Sequence, residues 1–348
     1  MQALYAKAMG GDRPLDNIEI GERPEPQLQA GQVLVRMRAA TVNHHDYWTL
    51  RGVVGYPITL PRILGCDGAG IVEAYGSEPP ANAPKPGSEV VLYPLTFCGN
   101  CLGCVGADPM LCRTFTMLSD GPLEGSFARH VVLPALHVVP KPQQLSWSEA
   151  ADLGVTYLTA YRMLFVKAAL HPGDTVLVHA AAGGVGSAAT QLAAAAGITV
   201  FASSRSEEKL KVAERLGATH LVPAGRDAAK MILRLTGGDG VDAVIETVGE
   251  ATWGTSVRAV RQGGAIVVAG ATSGPNPLAD LARVFWRQLR ILGSTMGSLP
   301  EFLELLHFMQ DKKLKPLIDS EYALADGRAA FEKLANGDHA GKIALTIP

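Results

Sequence analysis

Thr175-Val176-Leu177-Val178-His179-Ala180-Ala181-Ala182-Gly183-Gly184-Val185-Gly186-Ser187-Ala188-Ala189 is the stretch on which the fold turns. An apolar run ends at His179, a glycine turn follows, and an alanine-rich stretch begins. Gly184, Gly186 and Ala189 fit the spacing G-x-G-x-x-A. Glycines there let the backbone approach a pyrophosphate, and a helix N-terminus adds amides and a partial positive charge. Glycines at this spacing are weak evidence alone. A strand before and a helix after give them weight, and the competing reading is a plain tight turn.

Working outward, the rhythm of strand and helix continues. Ile198–Ser203, Thr219–Val222, Val241–Thr247, Ala265–Ala269 and Leu289–Gly293 read as further strands, and Ser206 caps a helix that Gly217 ends. Six short strands with helical crossovers predict an α/β fold with a central doubly wound parallel (Rossmann) sheet. Upstream of about residue 146 the character differs. Val33–Arg38, Gly70–Ala74 and Glu89–Tyr93 read as strands punctuated by prolines, a β-rich region. Ser146-Trp147-Ser148-Glu149 is a capping box that opens the helical part. After it, the last fifty or so residues carry one helix-like segment, Glu301–Gln310, and a final strand, Lys342–Ile347.

Composition bounds the function. The 348 residues carry a net charge of −2, which excludes a general electrostatic grip on nucleic acid or an anionic membrane. Thr175–Ser204 holds no Asp, Glu, Lys or Arg, but four glycines interrupt it, so it reads as buried strand-helix-strand and not as a membrane span. The first residues lack the basic start and apolar core of a signal peptide, and the expectation is a soluble, cytoplasmic protein.

Four of the five cysteines, Cys98, Cys101, Cys104 and Cys112, read Cys-x2-Cys-x2-Cys-x7-Cys with glycines between. Four thiolates with no other ligand suit a closed, structural tetrahedral zinc site. An Fe–S cluster and a pair of disulfides are the competing readings. The strand after the glycine turn selects the nucleotide. Where an acidic residue would bond a ribose 2′-hydroxyl, about twenty residues on, stand Ser204 and Arg205, with Lys209 one helical turn later. A hydroxyl and a guanidinium suit a 2′-phosphate, so NADPH is expected over NADH. The competing reading of Arg205 is a solvated surface charge.

Gly65-Cys66-Asp67-Gly68-Ala69-Gly70, the cysteine lobe, Ala182–Gly186, Leu216-Gly217-Ala218-Thr219 and Gly341-Lys342-Ile343 together resemble the medium-chain dehydrogenase/reductase superfamily. Asn43-His44-His45-Asp46, Gly55-Tyr56-Pro57, Phe285–Leu289 and Gly293–Gly297 are similar to its quinone oxidoreductase-like branch. The resemblance implies a β-rich chaperonin-10-like domain formed by both chain ends, residues 1–155 and 295–348, with the zinc lobe at 95–115. It implies a Rossmann domain over 156–294, a cleft site and a homodimer paired through the edge near Leu289–Gly293.

Against that resemblance the departures matter. The superfamily's zinc alcohol dehydrogenases bind a catalytic zinc through Cys, His and a third Cys or acidic residue. Here those positions read Asn43, Cys66 followed by Asp67, and no cysteine, with Asp152 nearby. A catalytic metal is therefore not expected, although Cys66, Asp67, His44, His45, Asp46 and Asp152 are all metal-capable. His44 and His45, if extended, would point to opposite sides. Hydride transfer from NADPH to a quinone or an α,β-unsaturated carbonyl needs no Lewis acid, since such acceptors are already electrophilic.

The resemblance places Asn43, Asp46 and Tyr56 on the substrate side; Tyr56 is the candidate for holding the acceptor oxygen or donating the proton, against a plain turn tyrosine before Pro57, and His45 is a second proton-relay candidate. It places Thr159, Gly270, Ala271 and Ser294 at the nicotinamide, Gly183, Gly184, Val185 and Gly186 at the pyrophosphate, and Lys342 at a cofactor phosphate. Competing expectations are a zinc alcohol dehydrogenase with remodelled ligands and an NADPH-binding protein with little turnover.

Overall fold

Six parallel strands lie in the order His220–Pro223, Thr199–Ser204, Thr175–His179, Val241–Glu246, Val260–Val268, Arg290–Gly293. The computed structural model that shows them describes residues 1–53, 58–106 and 108–348. Counted along the chain the order is 3-2-1-4-5-6, which reverses direction beside Thr175–His179 and opens a crevice at the strands' carboxyl ends. Val176, Leu177 and Val178 are wholly buried, as a strand covered on both faces requires. Leu177, Phe201, Val244, Ile266, Trp253 and Val257 belong to one core cluster.

This sheet belongs to a unit spanning Thr156–Gly297. The other unit combines Met1–Val155 with Ser298–Pro348. Its main sheet runs Val138–Pro140, Glu89–Leu92, Ala69–Tyr75, Gln32–Thr41, Lys342–Thr346, Ile318–Ala323, with His130–Pro134 also paired to Gln32–Thr41. Val33, Val35 and Met37 alternate into its core, the period expected of a strand with one buried face. The chain's last strand pairs antiparallel with Gln32–Thr41, setting Ala344 opposite Thr41 and Leu345 opposite Ala40. That register carries Lys342 to the start of the next segment, Val42-Asn43.

Two expectations are corrected. The C-terminal part holds a second helix, Gly327–Asn336, and a further strand, Ile318–Ala323. The helix buries Ala330, Phe331 and Leu334, an i, i+1, i+4 stripe too short to stand out in sequence. His44 and His45 are not extended but open the helix His44–Arg51. Among the described residues, no helix is long and apolar enough to cross a membrane.

The glycine turn is tightly packed. A Cβ added at Gly186 would lie 2.1 Å from the Ala180 carbonyl oxygen. Ala180 itself has φ 48°. Gly186→Ala is expected to cost about 1–3 kcal/mol of stability by overpacking, read as a lowered Tm in thermal melts.

Candidate active site

The cysteine lobe comes first because its geometry can be tested directly. A zinc–sulfur bond of about 2.3 Å implies sulfur–sulfur edges of about 3.8 Å in a tetrahedron. The Sγ separations are 3.8 Å for Cys98–Cys104, 3.6 Å for Cys101–Cys104 and 3.6 Å for Cys98–Cys112. All four sulfurs lie within 4.8 Å of one another and none is in a disulfide. The main-chain amide of Cys104 lowers the Cys101 pKa, and that of Cys98 brings Cys112 down to about 6. Burial pushes Cys104 up to about 12. The donor set fits a closed four-cysteine zinc centre, which would order this lobe.

Where zinc alcohol dehydrogenases would hold their second metal, the chain builds something else. Asp67 is fully buried and both its oxygens are used. Oδ1 accepts from the Thr41 amide at 2.7 Å, and Oδ2 accepts from Thr41 Oγ1 at 2.5 Å and Asn43 Nδ2 at 2.8 Å. Asn43 Oδ1 in turn accepts from Lys342 Nζ at 2.5 Å. The same ammonium donates to the Val42 carbonyl at 2.9 Å and stands 4.0 Å from Asp152 Oδ1. Lys342 and Asp152 are 4% and 1% exposed, so the cation is held inside the protein. This tie lies within its own unit, where the sequence reading assigned Lys342 to a cofactor phosphate.

Burial raises the Asp67 pKa, while Lys342 and the Thr41 and Asn43 hydrogen bonds pull it down. Burial, with the charges of Asp46 and Asp67, pushes the Cys66 thiol well above its usual range, so it stays protonated at neutral pH. A saturated carboxylate, a resident ammonium and an amide at the first ligand position do not fit a dication. Among the described residues, the lobe cysteines are the one group of three or more His, Cys, Asp or Glu whose ligand atoms converge.

Asp46 holds the start of the His44–Arg51 helix. Its Oδ2 accepts from the Asn43 amide at 2.9 Å and its Oδ1 from the Gly65 amide at 3.0 Å, tying the helix to the loop that carries Cys66 and Asp67. Burial pushes its pKa up to about 6. His45 Nε2 meets Asp120 Oδ1 at 2.6 Å. His44 is exposed, near Trp48, with ring centroids 6.1 Å apart. Asn43, His45 and Asp46 are thus brought together, whereas Tyr56 lies outside the described residues. Neither Thr41 nor Asp120 stands out in the sequence, since neither sits in a motif.

In the other unit, the helix Gly184–Ala195 starts on Gly183 with no side-chain cap and no acidic residue in its first turn. Ser204 and Arg205 follow at the end of the neighbouring strand, with Ser204 buried and Arg205 exposed, and Lys209 lies in the first turn of the helix Glu207–Arg215. Thr159 is buried and its hydroxyl faces Met296 Sδ at 3.7 Å. Gly270 and Ala271 are half-buried after the strand Val260–Val268. Among the described residues, the buried hydroxyls of Ser203 and Ser294 find no hydrogen-bond partner. An uncapped helix N-terminus and two unsatisfied hydroxyls fit a dinucleotide carrying phosphates and polar edges.

Residues 29–143 match the Alcohol dehydrogenase GroES-like domain family and residues 184–311 the Zinc-binding dehydrogenase family. A zinc-type alcohol dehydrogenase-like protein of Schizosaccharomyces pombe is 33% identical over 95% of this chain and 96% of its own. The chain belongs to the medium-chain dehydrogenase/reductase superfamily. Like its relatives, this dehydrogenase/reductase is an oxidoreductase with a nicotinamide cofactor site. A crystal structure of an NAD-dependent alcohol dehydrogenase matches it with TM-score 0.94 and 38% identity, covering all of both chains. A crotonyl-CoA carboxylase/reductase in complex with NADP matches with TM-score 0.88 and 29% identity, over 99% of this chain and 94% of the other.

Lys342→Met would leave the Asp67 and Asp152 carboxylates buried without their cation. It is expected to cost about 3–5 kcal/mol, measured by chemical denaturation. Stability within about 1 kcal/mol of the parent would show that the ammonium is not compensating buried charge.

Proposed function

We propose that this dehydrogenase/reductase carries hydride from NADPH to a quinone or an α,β-unsaturated carbonyl, with zinc only in the cysteine lobe. The carrying observation is the buried Lys342–Asn43–Asp67 network, which uses the donors that a catalytic metal would need. Bound NADPH supplies the hydride. An acceptor conjugated to a carbonyl spreads the resulting charge itself, so the protein need only orient it and manage a proton. This reading assigns Asn43 and Asp46 to the substrate side. The NADP complex of the crotonyl-CoA carboxylase/reductase, an enzyme named for reducing an enoyl thioester, supports the enone class.

Gly183, Gly184, Val185 and Gly186 take the pyrophosphate in this reading, and Thr159, Gly270, Ala271 and Ser294 flank the nicotinamide. Ser204, Arg205 and Lys209 take the 2′-phosphate. The reading includes a homodimer in a reducing, cytoplasmic setting. In support, Leu278, Leu281, Phe285 and Trp286 are 91%, 70%, 69% and 78% exposed, beside the edge strand Arg290–Gly293.

The test offers NADPH with enones, enoyl thioesters and quinones, and separately NADP+ with simple alcohols. Reduction of the conjugated acceptors, with negligible alcohol oxidation, is expected. Preferential alcohol oxidation would hand the assignment to a dehydrogenase with remodelled ligands, the activity for which the alcohol dehydrogenase relatives above are named. Arg205→Ala is expected to raise KM for NADPH about 10–100-fold, the loss of one charged hydrogen bond, while KM for NADH stays unchanged.

A further inference from the structure

Glu246 is a buried carboxylate to which the reading above gives no role. It ends the strand Val241–Glu246, and His179 ends the neighbouring strand Thr175–His179, so both stand where the strand order reverses. Oε1 accepts from the Val248 amide at 2.8 Å, the Gly249 amide at 3.0 Å and Thr252 Oγ1 at 2.8 Å. Oε2 accepts from Ser256 Oγ at 2.7 Å. Ser256 spends its one hydroxyl proton there and so accepts from His179 Nε2 at 3.0 Å. Burial lowers the His179 pKa and keeps that ring neutral, so amides and hydroxyls hold the carboxylate. The loop they belong to is knitted to the loop after the next strand. The Thr272 and Ser273 amides donate to the Thr247 and Val248 carbonyls at 3.3 and 2.8 Å, and Ser273 Oγ donates to the Val248 carbonyl at 2.7 Å. Gly249 has φ 91°, and a Cβ there would lie 2.4 Å from the Gly274 carbonyl oxygen. At the end of the sixth strand the Ser294 amide donates to the Val268 carbonyl at 2.9 Å, and its buried hydroxyl has no partner among the described residues.

A doubly wound sheet divides a dinucleotide between its two halves, one on each side of the reversal. Ser204 and Arg205, which take the 2′-phosphate in the reading above, follow the second strand. That puts the adenosine half over the first three strands and the nicotinamide half over the last three, where the Glu246 loop stands. We propose that Glu246 is a positioning residue for the nicotinamide half of the cofactor, fixing through the Val248 and Gly249 amides the wall that runs on to Gly270 and Ala271. The proposal rests on the NADPH reading. Glutamine at 246 keeps an oxygen for the two amides, and the Ser256 hydroxyl can rotate to accept from its nitrogen. An apolar residue leaves two amides and two hydroxyls without their acceptor. The hydrogen bonds of Ser204 run to Ser206 and Ala224 instead, so the adenosine side keeps its geometry.

The experiment is calorimetric titration of the full-length protein with NADPH and with 2′,5′-ADP, which lacks the nicotinamide half. Glu246→Leu is expected to weaken NADPH about 10-fold or more and Glu246→Gln by no more than about 3-fold, with 2′,5′-ADP held within about 2-fold in both. Gly249→Ala leaves the carboxylate in place and pushes on Gly274. It should show the same split, and it carries the test if melting curves find Glu246→Leu unfolded. Equal weakening of NADPH and 2′,5′-ADP in a folded variant would mark a merely structural residue and overturn the proposal, as would an unmoved NADPH Kd in folded Glu246→Leu. The same titrations with NADH and ADP keep the cofactor reading separate. A parent protein that binds NADH as tightly as NADPH overturns the 2′-phosphate assignment, and Glu246 is then judged by the split between NADH and ADP. No binding of either dinucleotide by the parent overturns both.

Discussion

A lysine ammonium inside the protein, bonded to Asn43 and 4.0 Å from the Asp152 carboxylate, is the interaction on which the rest of this molecule depends. Asp67 and Asp152 are both fully buried, and two such groups cannot share a low-dielectric interior without compensation. Lys342 supplies the charge. Asn43 relays it, accepting from the ammonium through Oδ1 and donating to Asp67 through Nδ2. The cation comes from the last strand and its partners from the first half of the chain, so the contact also fixes how the two ends of the sequence form one unit. A metal dication at the equivalent place would need thiolate or imidazole ligands and freed carboxylate oxygens. This chain keeps both oxygens of Asp67 engaged by Thr41 and Asn43.

The same choice bears on chemistry. A zinc ion polarises an alcohol or a carbonyl oxygen and so opens alcohol oxidation. A lysine bound to an asparagine and a main-chain carbonyl has its donors directed at the protein. The proposed function accordingly sends hydride to acceptors that carry their own electron sink. The second unit is prepared for the cofactor in a different way, through what it leaves unsatisfied. Its helix N-terminus is uncapped and the hydroxyls of Ser203 and Ser294 are buried without protein partners among the described residues.

Much of this is legible in the sequence, and the division follows range. The glycine turn, the six strands and the cysteine quartet are local patterns whose spacing carries the chemistry directly. The departure at Asn43, Cys66 and Asp67 is also readable, because it is an absence at known positions. What fills the absence is not. Lys342 reaches Asn43 across 299 positions, and Asp120 reaches His45 across 75, and no periodicity announces such pairs. An extended reading of His44 and His45 fails because the Asp46 side chain, by binding the Asn43 amide, starts a helix there. The helix Gly327–Asn336 escapes a sequence reading because it opens on a glycine and its apolar stripe is only three residues wide.

The most direct test of this account is the zinc content of the native protein, purified without chelator and measured by elemental analysis. One zinc per chain, lost when the lobe cysteines Cys98 and Cys112 are replaced by serine, is the predicted result. Two zinc ions per chain, one of them surviving that replacement, would mean that the buried lysine yields to a metal and would contradict it.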